Sequence, residues 1–110
     1  HAPAGLGRRY GALAGDVNPI HIADVAARAF GFRAAIAHGM WSLARCAAEL
    51  EPRLPASAGP RVLEVQFRAP VFLPASLVLR GTPVPQGLRF ELRDARGART
   101  HLAGELRRAA

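Results

Sequence analysis

The chain has 110 residues, half of them apolar and 21% charged, so it reads as globular, with room for one core and a single domain over 1–110. No apolar run approaches the roughly 20 residues of a membrane helix. The one cysteine, Cys46, excludes an internal disulfide and any multi-cysteine zinc site. All fifteen basic residues are arginine, set against eight acids, for a net charge of +7. That sign suits an anionic partner such as nucleic acid, a membrane surface or a phosphate-bearing ligand. The arginines are scattered, however, and an Ala-, Gly-, Arg- and Pro-rich composition also follows from GC-rich coding. Nothing argues for secretion, so the reducing cytoplasm is the expected compartment.

The first residue is His1, not an initiator methionine, so the chain is a processed form or part of something longer. Residues 1–9 are basic and free of acids, loosely as in a transit segment, but from Tyr10 onward the sequence reads as folded protein. Residues 24–30 predict a short helix, with Asp24 near its start and Gly31 just past its end. Residues 39–51 predict a longer one. Met40, Leu43, Ala44, Ala47 and Leu50 recur at spacings of three and four and define its buried face, which Trp41 and Ala48 widen. Arg45 and Glu49 are placed to pair on the outer side. Pro52, Pro55 and Gly59 end the helix in a loop.

After that loop the period changes to two. Leu63, Val65, Phe67 and Ala69 alternate with Glu64, Gln66 and Arg68, and Pro70 and Pro74 bracket a turn. Three further alternating runs, at 77–82, 88–93 and 100–107, are separated by short Gly-containing turns. Four strands with short links predict an antiparallel meander with one dry face, and a long apolar helix needs such a cover. The expected architecture is α+β, a curved antiparallel β-sheet wrapped around a central α-helix.

Chemistry concentrates between Tyr10 and Met40. Gly15-Asp16-Val17-Asn18-Pro19-Ile20-His21 reads as a loop, because Gly15 permits an unusual turn and Pro19 keeps Asn18 out of helical geometry. A turn there can bring Asp16 and His21 to one pocket as a carboxylate–imidazole acid/base pair. Gly39 opens the apolar helix, where free backbone N–H groups can hold a developing oxyanion. The plainer readings are an ordinary Asx-Pro turn, a His38 that caps its helix or satisfies a buried carbonyl, and a Met40 and Cys46 that serve packing. Ser42 has no base beside it in sequence, and His21, His38 and His101 lack metal-ligand spacing, so no metal is expected.

Tyr10, the string Ala14-Gly15-Asp16-Val17-Asn18-Pro19-Ile20-His21, Gly31-Phe32, Ile36-Ala37-His38-Gly39-Met40 and Arg68-Ala69-Pro70-Val71-Phe72-Leu73-Pro74 together resemble the MaoC-like hydratases. These are hot-dog-fold enzymes that include the (R)-specific enoyl-CoA hydratases. The resemblance implies that Asp16 and His21 hold a water, deliver it to C3 of a trans-2-enoyl thioester and supply a proton to C2. It implies that the Gly39 N–H binds the thioester oxygen, and that Asn18, His38 and Met40 stand on the substrate side of the site. It implies no cofactor. The substrate would be an acyl-CoA or an acyl-carrier-protein thioester, the assembly a homodimer, and neither nucleic acid nor membrane a partner.

The family's sheet normally has a strand upstream of the tyrosine, and only nine residues precede Tyr10 here. That strand therefore lies outside this chain, or the sheet is one strand short. The competing readings are a 3-hydroxyacyl-ACP dehydratase, a non-catalytic hot-dog module that binds an acyl thioester, and an arginine-rich nucleic-acid binder. The last is weakened by aromatics that fall at core-facing positions.

Overall fold

A computed structural model describes residues 1–16, 18–54 and 59–109. Val17 and Pro55, both singled out in the sequence, lie outside the described residues. The chain forms two compact units, one from His1–Ser42 with Pro70–Leu77 and the other from 43–69 with 78–110.

The first unit is built on connections rather than on regular structure. Residues before and around Tyr10, expected only as a basic lead-in, form helix α1 (Leu6–Ala14), closed by Gly15 at φ 77°. Ala2 is fully buried and bridges to Ala75 through a reciprocal pair of backbone hydrogen bonds of 2.7 and 2.8 Å. Helix α2 (Asp24–Ala29) ends at Gly31, whose φ of 92° no side chain adopts easily. Asp24 stands in the first turn of α2, as expected, and also reaches across to accept the Ala35 N–H at 2.8 Å.

Residues 35–37 then run antiparallel to 71–73, with the Ala37 N–H on Val71 O at 2.9 Å and the Leu73 N–H on Ala35 O at 2.8 Å. Ala2, Leu6, Ala37, Val71 and Leu73 close a small core, with Trp41, Ala75 and Leu77 packed against it. Burying each of the larger aliphatics stabilises by about 1.5–3 kcal/mol.

The second unit carries the sheet, in the order β1-β4-β3-β2, with β1 at Arg61–Phe67, β2 at Leu77–Val84, β3 at Gly87–Asp94 and β4 at Thr100–Arg108. Only β2, β3 and β4 follow one another as a meander. The expected four-strand meander is corrected by β1, which pairs antiparallel with β4 from Arg61↔Arg108 to Phe67↔Leu102. Register puts Leu63, Leu106 and Leu88 on one face, followed by Val65, Gly104 and Phe90, then Phe67, Leu102 and Leu92. Phe90 and Leu102 are each 1% exposed. At the edge, however, Leu63 is 38% and Phe67 54% exposed, so the dry face is uncovered along β1.

Helix α3 (Gly39–Leu50) packs on this sheet through its later turns, where Leu50 lies against Gly81 of β2. Its period is as expected but its phase is not. The buried stripe is Ser42, Leu43, Cys46 and Leu50, whereas Met40, Ala44 and Ala48 are exposed. Arg45 and Glu49 pair at 3.0 Å on the outside. Burial pushes the Cys46 thiol up to about 11 despite the opposing charge of Arg45. A thiol that is buried and protonated is a poor nucleophile. An aromatic disulfide reagent at neutral pH should therefore label Cys46 only in denaturant. Stoichiometric labelling of the folded chain within minutes would contradict this packing.

Candidate active site

The loop after α1 is braced by its own side chains. The Asn18 N–H donates to Asp16 Oδ1 at 3.2 Å, and Asn18 Oδ1 accepts the Ile20 N–H at 3.2 Å. Pro19–His21 then form one 3-10 turn, with the His21 N–H on Asn18 O at 3.0 Å. An Asx residue before proline favours this geometry, since its side chain replaces the backbone acceptor that the turn lacks. With Oδ1 occupied, Asp16 presents Oδ2 to the inside, 4.0 Å from His21 Nε2 and 3.8 Å from His38 Nε2.

Each imidazole is held at one nitrogen by a carbonyl. His21 Nδ1–H donates to Ile36 O at 2.8 Å, and His38 Nε2–H donates to Asp16 O at 2.9 Å. A carbonyl only accepts, so these bonds fix the tautomers. His21 keeps the lone pair on Nε2, the nitrogen that faces Asp16. His38 keeps its lone pair on Nδ1, which is buried and, among the described residues, has no partner. The two rings stack at 3.8 Å between centroids and 20° between planes, and Tyr10 lies 4.9 Å from the His38 ring. Ile36 is the hub of this arrangement, because its N–H is itself bound to Ile20 O at 2.9 Å while its carbonyl holds His21. His38, itself buried, thus satisfies a part-buried carbonyl, close to the plainer reading expected of it.

These groups line a cavity of about 280 Å³ together with Tyr10, Gly39 and Met40. Asp16 is 55% exposed at its side chain, His21 12% and His38 4%, so the carboxylate meets solvent and the imidazoles stand behind it. Gly39 is the first residue of α3, where backbone N–H groups have no intrahelical acceptor. Met40 is 59% exposed and lies at the cavity's edge rather than in the helix core. Asn18 builds the loop and is absent from the lining among the described residues.

Asp16, His21 and His38 each offer one ligand atom within 4.8 Å of the others, which raises the question of a metal. The His38 nitrogen nearest the carboxylate, Nε2, is committed through its hydrogen to Asp16 O, and its other nitrogen, Nδ1, is buried. The donor set suits water better. Two acceptors 4.0 Å apart, Asp16 Oδ2 and His21 Nε2, fall close to the span of about 4–5 Å that one water covers with its two O–H groups. Such a water keeps its lone pairs free for attack. His101, the third histidine weighed in the sequence, belongs to the sheet unit and contacts Ala69 O at 3.3 Å.

Comparison with known proteins places the chain in a family. The family described as MaoC like domain matches residues 7–103. The chain is 39% identical over 100 residues to 3-hydroxyacyl-thioester dehydratase X of Mycobacterium tuberculosis (strain ATCC 25618 / H37Rv), covering 91% of this chain and 35% of that protein. Two crystal structures of HtdX from Mycobacterium tuberculosis superpose with TM-scores of 0.87 and 0.85 at 36% and 37% identity. Each alignment covers 98% of this chain, but 45% and 42% of the respective HtdX chains. The chain belongs to the MaoC-like domain family and has the hot-dog fold. It spans about a third of the length of the curated relative that it matches.

Proposed function

We propose that the chain is a hydro-lyase that adds water reversibly across the double bond of a trans-2-enoyl thioester, giving the (R)-3-hydroxyacyl thioester. The observation that carries this reading is His21 Nε2, left free by the bond of Nδ1 to Ile36 O and set 4.0 Å from the carboxylate of Asp16. Water bound between the two attacks C3 and gives up one proton to the pair. The π electrons move toward C2 and the thioester oxygen, where the Gly39 N–H at the start of α3 meets the developing charge. The pair then returns one proton to C2 and ends as it began. Run backward, the same groups dehydrate a 3-hydroxyacyl thioester, the reaction named for the mycobacterial relative. Met40 at the rim contacts the acyl or pantetheine chain, and His38 serves the site through its bond to Asp16 O. No cofactor and no metal enter these steps, and the compartment we assign is the cytoplasm. Among the described residues no helix is long and apolar enough to cross a membrane.

The substrate carrier is coenzyme A in the reading we favour, with acyl-carrier protein as the second. Both present the same pantetheine arm, and the net charge of +7 suits the phosphates of coenzyme A. A screened attraction makes a testable difference. The KM for crotonyl-CoA should rise several-fold between low salt and about 0.5 M, whereas a KM independent of salt would detach the net charge from substrate binding. Steady-state comparison of crotonyl-CoA with crotonyl-carrier protein decides between the two carriers.

We further propose a homodimer. Leu63 and Phe67 on edge strand β1 are apolar and exposed, a combination that solitary sheets avoid. Light scattering at micromolar concentration should give twice the chain mass, and a monomer mass would remove the proposal.

A further inference from the structure

We infer that helix α1 is the gauge that sets the spacing of the catalytic pair, with Gly7 and Gly11 as positioning residues; the inference rests on the proposed roles of Asp16 and His21. Gly7 and Gly11 are four apart in sequence and therefore share a face of α1, and both are buried. A Cβ placed on Gly7 would overlap the carbonyl oxygen of His21. One placed on Gly11 would overlap the carbonyl oxygen of Asp16 and come within 3.7 Å of His38 Cε1. The helix backbone thus touches the main chain of both members of the pair, at two points one helical turn apart.

The contact at Gly11 has a second component. The Asp16 carbonyl is caught between the Gly11 backbone on one side and the His38 Nε2–H at 2.9 Å on the other. The carboxylate of the same residue is fixed at Oδ1 by Asn18, so displacing its main chain moves Oδ2 away from His21 Nε2. Gly7 does the corresponding work under His21, whose ring is tied at the far side to Ile36 O. Glycines inside a short helix are otherwise a liability, because alanine is the better helix former. Here each is required where another backbone passes too close for a methyl group.

Helix propensity and gauge function give opposite signs, which makes the test informative. Propensity alone predicts that Gly11→Ala leaves the chain as active and more stable. Gauge function predicts a kcat for crotonyl-CoA hydration lower by about 100-fold, since a displacement near 1 Å costs that much, with KM within about threefold. Gly5→Ala is the control, because nothing lies within 4 Å of a Cβ there, and it should keep the parent's kcat and KM. In the Gly11→Ala chain the imidazole resonances of His38 and His21 should also shift, with loss of the hydrogen-bonded His38 Nε2–H signal.

Retention of kcat in Gly11→Ala while Asp16→Asn is inactive would overturn the gauge and leave the pair standing. Activity retained in Asp16→Asn would overturn the pair, and the gauge as a catalytic device with it. Should Gly11→Ala fail to fold, the seating is read in the unaltered chain as a nuclear Overhauser effect between Gly11 Hα and His38 Hε1. Its presence supports the contact and its absence overturns it.

Discussion

Asp16→Asn and His21→Ala should each lower kcat for hydration of an enoyl thioester by about 10²–10⁴-fold, the range that one positioned acid/base group contributes. Asp16→Asn keeps the loop, because an amide oxygen still accepts the Asn18 N–H that now reaches Oδ1 at 3.2 Å. What it removes is the negative acceptor facing His21. His21→Ala removes the Nε2 lone pair and leaves Ile36 O without its donor, so a modest loss of stability accompanies the loss of rate. Both groups contact the same proposed water, 4.0 Å apart, and should behave as one unit. The double variant is then expected to be little worse than the worse single one. The check is steady-state kinetics on all three variants beside circular dichroism. Activity within about tenfold of the parent in either single variant, with a normal spectrum, would remove the pair from the mechanism. A double variant whose loss equals the product of the two single losses would mean that the groups act independently.

Phe90→Ala should cost about 3–5 kcal/mol, the largest effect on stability expected of any single truncation in the sheet. Phe90 is 1% exposed and pairs across the ladder with Gly104, opposite Val65 on the far strand. Its ring covers Gly104 so closely that a Cβ at that position would lie 3.1 Å from Cζ. Truncation therefore leaves a cavity over a residue that has no side chain to fill it. Domains of this size are stable by only about 5–15 kcal/mol, so the loss is a large part of the total. The midpoint of urea unfolding should fall sharply, with little change in its slope. A midpoint shift equivalent to under about 1 kcal/mol would show that the dry face packs elsewhere.

The parts of this molecule that are side-chain chemistry were legible before the fold was known. Asp16, His21 and Gly39 stand in two short strings that read as a turn with a candidate acid/base pair and a helix start, the resemblance favoured the pair, and the fold brings all three to one cavity. The period of two in residues 61–108 was likewise readable, because each strand alternates on its own. The placing of β1 beside β4 was not, since nothing local encodes which distant strand pairs with which.

In α3 the period was right and the face was rotated. Ser42 and Cys46 belong to the buried stripe but carry little hydrophobic signal, while the strongly apolar Met40 lies exposed at the cavity's edge. Helix α1 escaped notice because Gly7 and Gly11 lower its propensity, and their purpose lies in a contact the sequence does not display. The groups that orient the imidazoles are the carbonyls of Ile36 and Asp16. Every residue has a carbonyl, so only the fold reveals which ones hold these rings.

The most direct test of the central proposal is turnover by the unaltered chain. Trans-2-enoyl-CoA substrates of graded chain length are followed by loss of the enoyl-thioester absorbance, and the product is resolved by chirality. The account predicts saturable hydration of at least one chain length to the (R)-3-hydroxyacyl-CoA, and formation of the enoyl thioester when that product is supplied instead. Absorbance that decays no faster than in buffer at every chain length, with the chain folded, would contradict it.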